Sequence, residues 1–255
     1  MDFYKKILIG FLLVLCSFFE SVFAQSFDSY FNEGLRLESL PNEKKALEQY
    51  QLAVKSSPYS LKGLYKCSEL CARIGSREKN DNRRDAYFNA ALSYAKIAIK
   101  YHAKTDDANV AMSIAMGKIA LTKSGKDKIS YVKEIKYYAD QALKINPSNF
   151  KAWHIIGKWN YEVANLNFFE EAAVNLLFGG LPDASFKNAV YAFEKARLLN
   201  PKFCLNYLEL AKSYKKLGNN MMAIKILQQL LTIPNSTEDD SIIKQEAKGL
   251  INSWN

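Results

Sequence analysis

The chain has 255 residues, of which 49% are hydrophobic and 24% charged, so it holds enough apolar material to bury a core and is not disordered by composition. Its 11 Gly and 6 Pro are too few for a turn-rich all-β fold, which needs turn signals every 8–12 residues. The net charge of +9 favours acidic partners or anionic surfaces, but lysines spread without a dense run also describe an ordinary solvated surface.

The first 24 residues read as a targeting segment. Lys5 and Lys6 precede an apolar run from Ile7 to Phe19, and Val22-Phe23-Ala24 forms a small-residue stop before Gln25. Glu20 ends the run short of the roughly 20 apolar residues that span a bilayer. Bulky Leu15 before Cys16 disfavours a lipoprotein anchor. The expected organisation is a signal peptide over 1–24 and one helical domain over 25–255. That places the chain in the periplasm or outside the cell, in a bacterial envelope. Membrane association is then limited to a surface contact, unless the N-terminal segment stays uncut. Cys67, Cys71 and Cys204 would remain, and an odd number leaves at least one free thiol rather than a disulfide framework.

Beyond that segment one spacing recurs: a small residue, an aromatic or large apolar residue four later, a small or apolar residue three after that, then a helix-stopping proline. Ala46, Tyr50, Ala53 and Pro58 follow it, as do Ala189, Phe193, Ala196 and Pro201. Ala91, Ala95 and Ala98 give another copy, with Ala103 in the proline slot. Ile135, Ala139, Ala142 and Pro147 give a further one, and Ala223, Leu227, Leu230 and Pro234 the last. Each is preceded by residues suited to a first helix: Tyr30, Gly34 and Leu37; Leu64, Cys67, Ser68 and Cys71; Asn109, Met112, Ser113 and Met116; Trp153, Ile156 and Gly157; Tyr207, Leu210, Ala211 and Tyr214. Small residues let antiparallel helices approach, the aromatic fills the gap, and proline ends the hairpin. The predicted fold is all-α, a tetratricopeptide-like α-solenoid of about five helical hairpins.

The middle hairpins carry insertions of about 11, 10 and 20 residues beyond the usual repeat. The charged stretches Arg77 to Arg84 and Lys123 to Lys128 predict longer helices with bigger loops on one edge. In the largest insertion Phe168, Phe169, Ala172, Ala173, Leu176 and Leu177 recur at helical spacing before Gly179-Gly180-Leu181-Pro182. This predicts an amphipathic helix that must bury its stripe. Ser241 to Trp254 reads as a helix covering the last hairpin, started by a capping box of Thr237 and Asp240.

Two stretches are more specific than the repeat: Gly157-Lys158-Trp159-Asn160-Tyr161-Glu162-Val163-Ala164, and Leu177-Phe178-Gly179-Gly180-Leu181-Pro182-Asp183-Ala184-Ser185. With the Ala139 to Pro147 helix and Leu210-Ala211-Lys212-Ser213-Tyr214, the region from about Tyr94 to Ile251 resembles the regulator of microtubule dynamics family. The resemblance implies an all-helical scaffold without cofactor, whose eukaryotic members are linked to microtubules and to membrane contacts between organelles. The secretion signal departs from that setting, so microtubule binding is not carried over.

No motif of a nucleophile, phosphate loop or His-Glu-x-x-His zinc site occurs, so no catalytic, cofactor or metal residue is assigned and no enzyme is expected. Cys67 and Cys71 share a helix face but occupy packing slots, where free Cys behaves as a small hydrophobe. The 15 Tyr, 15 Phe and 3 Trp fall mostly at packing slots, so nucleic acid is not expected as a partner. The outward side of the first helices carries Lys151, His154, Lys158 and Tyr161 in the fourth copy, and Leu205, Leu208, Lys212 and Lys215 in the fifth. This predicts a concave, partly basic groove that receives an acidic or extended protein segment. The alternative is a peripheral envelope protein whose positive charge meets anionic lipid or polysaccharide. N-terminal sequencing of the native protein is expected to start at Gln25; a start at Met1 would remove the export assignment.

Overall fold

The computed structural model describes residues 27–40 and 42–254, and of Phe168, Phe169, Ala173, Leu177 and Phe178 only the backbone. The expected signal peptide, 1–24, lies outside the described residues. The helices are α1 (residues 27–39), α2 (Glu43–Ser56), α3 (Leu61–Arg77), α4 (Asp81–His102), α5 (Asp106–Ala120) and α6 (Gly125–Ile145). They continue with α7 (Phe150–Ala164), α8 (Phe168–Phe178), α9 (Phe186–Leu199), α10 (Cys204–Lys216), α11 (Asn220–Thr232) and α12 (Asp240–Trp254). No strand occurs among the described residues, and the fold is the all-α, tetratricopeptide-like solenoid that the spacing predicts.

Local chemistry sets the helix ends. The side chains of Asn80, Thr105, Asn149, Asn167, Ser185 and Asn219 each accept a backbone N–H from the first turn of the following helix. Pro58, Pro147, Pro201 and Pro234 stand in the connections after α2, α6, α9 and α11, where a continuing helix would lack a donor. Gly179 takes the left-handed conformation (φ 68°) that closes α8.

The pairs α1/α2, α3/α4, α5/α6, α7/α9 and α10/α11 pack through the repeated slots. Ala46, Tyr50, Ala53, Ala91, Ala95, Ala98, Ala139, Ala142, Ala189, Phe193, Ala196, Ala223, Leu227 and Leu230 are all fully buried. The approach is tightest where glycine faces an aromatic ring. A Cβ on Gly157 would lie 2.6 Å from the Phe193 ring, and one on Gly34 would lie 2.5 Å from the Tyr50 ring. Cys67, Cys71 and Cys204 are buried free thiols, and burial pushes the Cys71 thiol up to about 12. Among the described residues no group of three or more His, Cys, Asp or Glu is placed to hold a metal ion.

Successive first helices touch one another: α3 meets α5, α5 meets α7, and α7 meets α10. The second helices of successive pairs make no comparable approach among the described residues. The stack therefore curves with α3, α5, α7 and α10 on its inner side.

Three expectations need correction. The two charged insertions lengthen the helices as expected but form no bigger loops: α3 runs to Arg77 and α4 starts at Asp81, while α5 ends at Ala120 and α6 starts at Gly125. The charged 77–84 stretch stays helical on both sides because Asn80 caps α4 and Arg84 pairs with Asp81 one turn away. In α8, Ala172 and Leu176 face solvent, Leu176 being 85% exposed, and Val174 is the buried apolar side chain. The four other stripe residues, Phe168, Phe169, Ala173 and Leu177, lie outside the described side chains. At α12 only half a capping box forms. The Asp240 carboxylate accepts from Thr237 N (2.9 Å) and Ser236 N (2.7 Å), and the backbone oxygen of Thr237 takes the reciprocal bond from Asp240 N.

Gly157→Ala would crowd a ring that has no free side, which costs about 1–3 kcal/mol. The roughly 1 kcal/mol that Ala gains over Gly in a helix offsets part of this. A net loss of about 1 kcal/mol in urea unfolding is expected. Phe193→Leu in the same chain should make the double variant lose less than the two single losses combined.

Candidate functional site

The inner side of the first helices is where the sequence places partner-binding residues, and its charges form a connected series. On α3 the positions Tyr65, Glu69, Arg73 and Arg77 follow one another at intervals of four, so they share a face. Lys151 of α7 donates to Tyr65 Oη (2.6 Å) and to Glu69, reaching past α5. Lys158 of α7 donates to Glu209 of α10 (2.8 Å) and pairs with Glu162 one turn on (2.7 Å). Lys212 of α10 pairs with Glu246 of α12 (2.8 Å) and lies 3.5 Å from Glu209.

The series returns to α3 through the two ends of the stack. Glu43, at the start of α2, is fully buried and pairs with both Arg73 and Arg77, the latter at 2.6 Å. Its backbone N–H donates to Glu238 (2.7 Å), a residue 195 positions away in the connection between α11 and α12. Arg77 also pairs with Asp239 (2.7 Å) and Glu238 (3.1 Å). On the α1 side, Glu38 accepts from Tyr50 Oη (2.9 Å), Lys66 (2.9 Å) and Arg73 (3.3 Å).

This geometry decides the protonation states. Burial works against charge on Glu209, yet Lys158 and Lys212 hold its carboxyl below the usual range. Burial likewise opposes charge on Glu38, and Lys66, Tyr50 and Arg73 overcome it. Lys118, on α5, makes no ion pair among the described residues. Burial lowers its ammonium pKa, with Asp239 opposing and Lys158 reinforcing the shift.

The expected site residues divide accordingly. Lys151, Lys158 and Lys212 are on the inner face, but each ammonium is already matched by a carboxylate of the chain. The expectation of a partly basic surface is corrected here to a largely compensated one. Leu208 belongs to the core, 2% exposed, in the apolar cluster that joins α9, α10, α11 and α12. His154 joins α7 to α10 through Asn206 (3.0 Å) and packs against Phe203 and Phe193. Tyr161 meets Phe186 edge to face, and Phe186 lines a cleft of about 470 Å³ between the end of α7, α8 and residues 181–187. Leu205 is partly exposed on the same α10 face as Glu209 and Lys212. Lys215 lies over the Trp254 ring, 5.3 Å from its centre. Sequence reading missed Glu43, Glu69, Arg73, Arg77, Glu209, Glu238 and Asp239. Only the four-residue polar stripe on α3 hinted at them.

Burial lowers the imidazole of His154 to about 4, against the acceptor Asn206 and the charge of Glu209; Lys158 and Lys118 add to the drop. An unfolded histidine titrates near 6.5, so between pH 6.5 and 4 the unfolded chain binds a proton that the fold refuses. The stability from neutral His154 is complete above pH 6.5 and is lost as pH falls toward 4. Glu38 and Glu209, with depressed pKa values, lose theirs only below the unfolded carboxylate range. A fall of about 1–2 kcal/mol between pH 7 and 5 is expected in urea melts. His154→Gln should flatten that interval.

The family model described as regulator of microtubule dynamics protein 1-3 matches residues 30–255. Regulator of microtubule dynamics protein 1 of Bos taurus is 30% identical over 165 residues, 64% of this chain and 52% of that protein. Regulator of microtubule dynamics protein 2 of Homo sapiens is 26% identical over 175 residues, 68% of this chain and 43% of that protein. The chain thus spans about half the length of the curated relatives it matches. Among solved structures, a thermophilic tetratricopeptide repeat protein of Thermus thermophilus is similar at a TM-score of 0.62 and 16% identity, covering 87% of this chain and 98% of that one. That likeness concerns the fold alone. With the family model matching nearly the whole described chain, this protein belongs to the regulator of microtubule dynamics family.

Proposed function

We propose that the chain is a non-catalytic scaffold that receives an extended segment of another protein along the inner side of α3, α5, α7 and α10. The tetratricopeptide-like fold and the family support a role in protein–protein interaction. The observation that carries the inner-face reading is the curvature. The first helices contact one another, and Tyr161, Leu205, Lys118 and Lys215 on them are partly exposed.

The chemistry of that side limits what a partner gains. Lys151, Lys158 and Lys212 have intramolecular carboxylates, so a partner carboxylate replaces an existing ion pair and does not meet a bare ammonium. Exchanging one pair for another is close to neutral in energy. Affinity on this reading comes from apolar contact at Tyr161 and Leu205 and from Lys118 and Lys215, which make no ion pair among the described residues. The N-terminal pattern alone leads us to place this activity outside the cytoplasm. What the relatives' names say of microtubules is left with those proteins.

A photo-crosslinking residue at Leu205 or Lys215 should give a covalent adduct with a protein partner in the native cell fraction. The same residue at Leu198, 72% exposed on α9, should give none. Equal adducts at both positions, or adducts at Leu198 alone, would reject the inner face.

A further inference from the structure

The connection between α11 and α12 reads Asn235-Ser236-Thr237-Glu238-Asp239-Asp240, an acidic segment set against two arginines of α3. Glu238 and Asp239 accept from Arg77, and Asp239 faces Arg73 Nε at 3.9 Å. This arrangement is what an acidic peptide from another chain would make on a guanidinium pair. Here the peptide is part of the same chain.

Two features separate this contact from an ordinary structural ion pair. The first is that the arginines have an anchor of their own. Glu43 is fully buried and holds both guanidinium groups, so Arg73 and Arg77 stay positioned without the loop. Glu238 and Asp239, at 30% and 29% exposure, form the outer layer, tied to Glu43 by the bond that Glu238 accepts from the Glu43 backbone (2.7 Å) and the one its own N–H donates to the Glu43 carboxylate (3.3 Å). The second is unused donor capacity. Arg73 Nε is buried and donates to nothing among the described residues, because 3.9 Å from Asp239 is too far for a hydrogen bond. Leaving a buried donor unsatisfied is unfavourable, so a better-placed carboxylate gains more than the loop does.

We propose that Arg73 and Arg77 form the acid-binding end of the inner face, and that Glu238 and Asp239 occupy it as an intramolecular stand-in for an acidic partner segment. This rests on the reading of the inner face as a partner-binding surface, and it names the partner chemistry: a short run of adjacent carboxylates. A tethered segment has an effective concentration in the millimolar range. The native chain therefore binds such a peptide weakly until the loop is displaced. The apparent affinity is reduced by the fraction of molecules whose loop is open.

The test uses a fluorescent peptide copying residues 234–242, titrated into the full chain at low salt and followed by anisotropy. Glu238→Gln/Asp239→Asn should bind it at least about tenfold more tightly than the native chain. Adding Arg77→Gln should remove that gain, and a peptide with its three carboxylates turned to amides should bind neither protein. Circular dichroism checks that the helices persist. If the double variant melts below the assay temperature, four glycine–serine residues inserted after Asn235 replace it, and the peptide must again bind more tightly than to the native chain. An opened chain that binds no better than native, or binds the amide peptide equally, overturns the proposal. Crosslinking at Leu205 without peptide binding at Arg77 would refute the stand-in and leave the scaffold reading intact.

Discussion

The close approach of two helices within each pair is the constraint on which the remaining structure depends. Where Phe193 lies against the Gly157 backbone, no side chain separates α7 from α9, and Tyr50 meets Gly34 in the same way. The ring fills the space a Cβ would need, and the alanines one turn to either side keep the helices from being pushed apart. Each pair is thin as a result. Stacking thin pairs brings α7 and α10 near enough for Lys158 and Glu209 to meet at 2.8 Å.

That proximity has an electrostatic consequence. A chain of net charge +9 turns a nearly compensated face inward. Charges drawn into a curved inner face lose water, and a single cation there is expensive. Pairing it restores most of the loss but seldom more, so such pairs add little to stability, while removing the partner of a buried charge is costly. Their effect is on register. Glu69 with Lys151, and Lys212 with Glu246, are satisfied only when α3, α7, α10 and α12 sit at one rotation and one rise relative to each other. Most of the other lysines are exposed, where solvation is cheap.

The sequence made the packing legible and the inner face largely illegible, for one physical reason. Ala189, Phe193 and Ala196 contact residues close in sequence, and the rule that brings them together recurs in every pair, so spacing alone exposes it. The proline stops are legible for the same reason. Glu43 and Glu238 meet only after the whole stack has curved, and no periodicity connects residues 195 positions apart. Lysine spacing on α7 and α10 does point to the side where first helices meet, yet it says nothing of Glu69, Glu209 or Glu246 opposite, which pair with those lysines. The charged 77–84 stretch misleads in another way. Arg, Glu, Lys and Asp are tolerated in helices as readily as in loops, and with Asn80 as a cap the shortest solution is to continue helix on both sides.

A compensated inner face also changes what specificity means for a binding scaffold. On a bare basic surface any acidic segment gains on arrival, and selectivity is poor. Where most cations, as with Lys151, Lys158 and Lys212, already have a carboxylate, a newcomer there gains only if its groups reproduce the geometry of those it displaces and its apolar side chains reach Tyr161 and Leu205. A mismatched carboxylate leaves Glu209 or Glu69 next to like charge in a poorly solvated place, which is a penalty rather than a lost gain. Charge on the partner then governs encounter and register, while apolar contact supplies affinity. The same pairs that hold the helices in register thereby discriminate between segments, and the two roles cannot be separated by composition, because they use the same atoms.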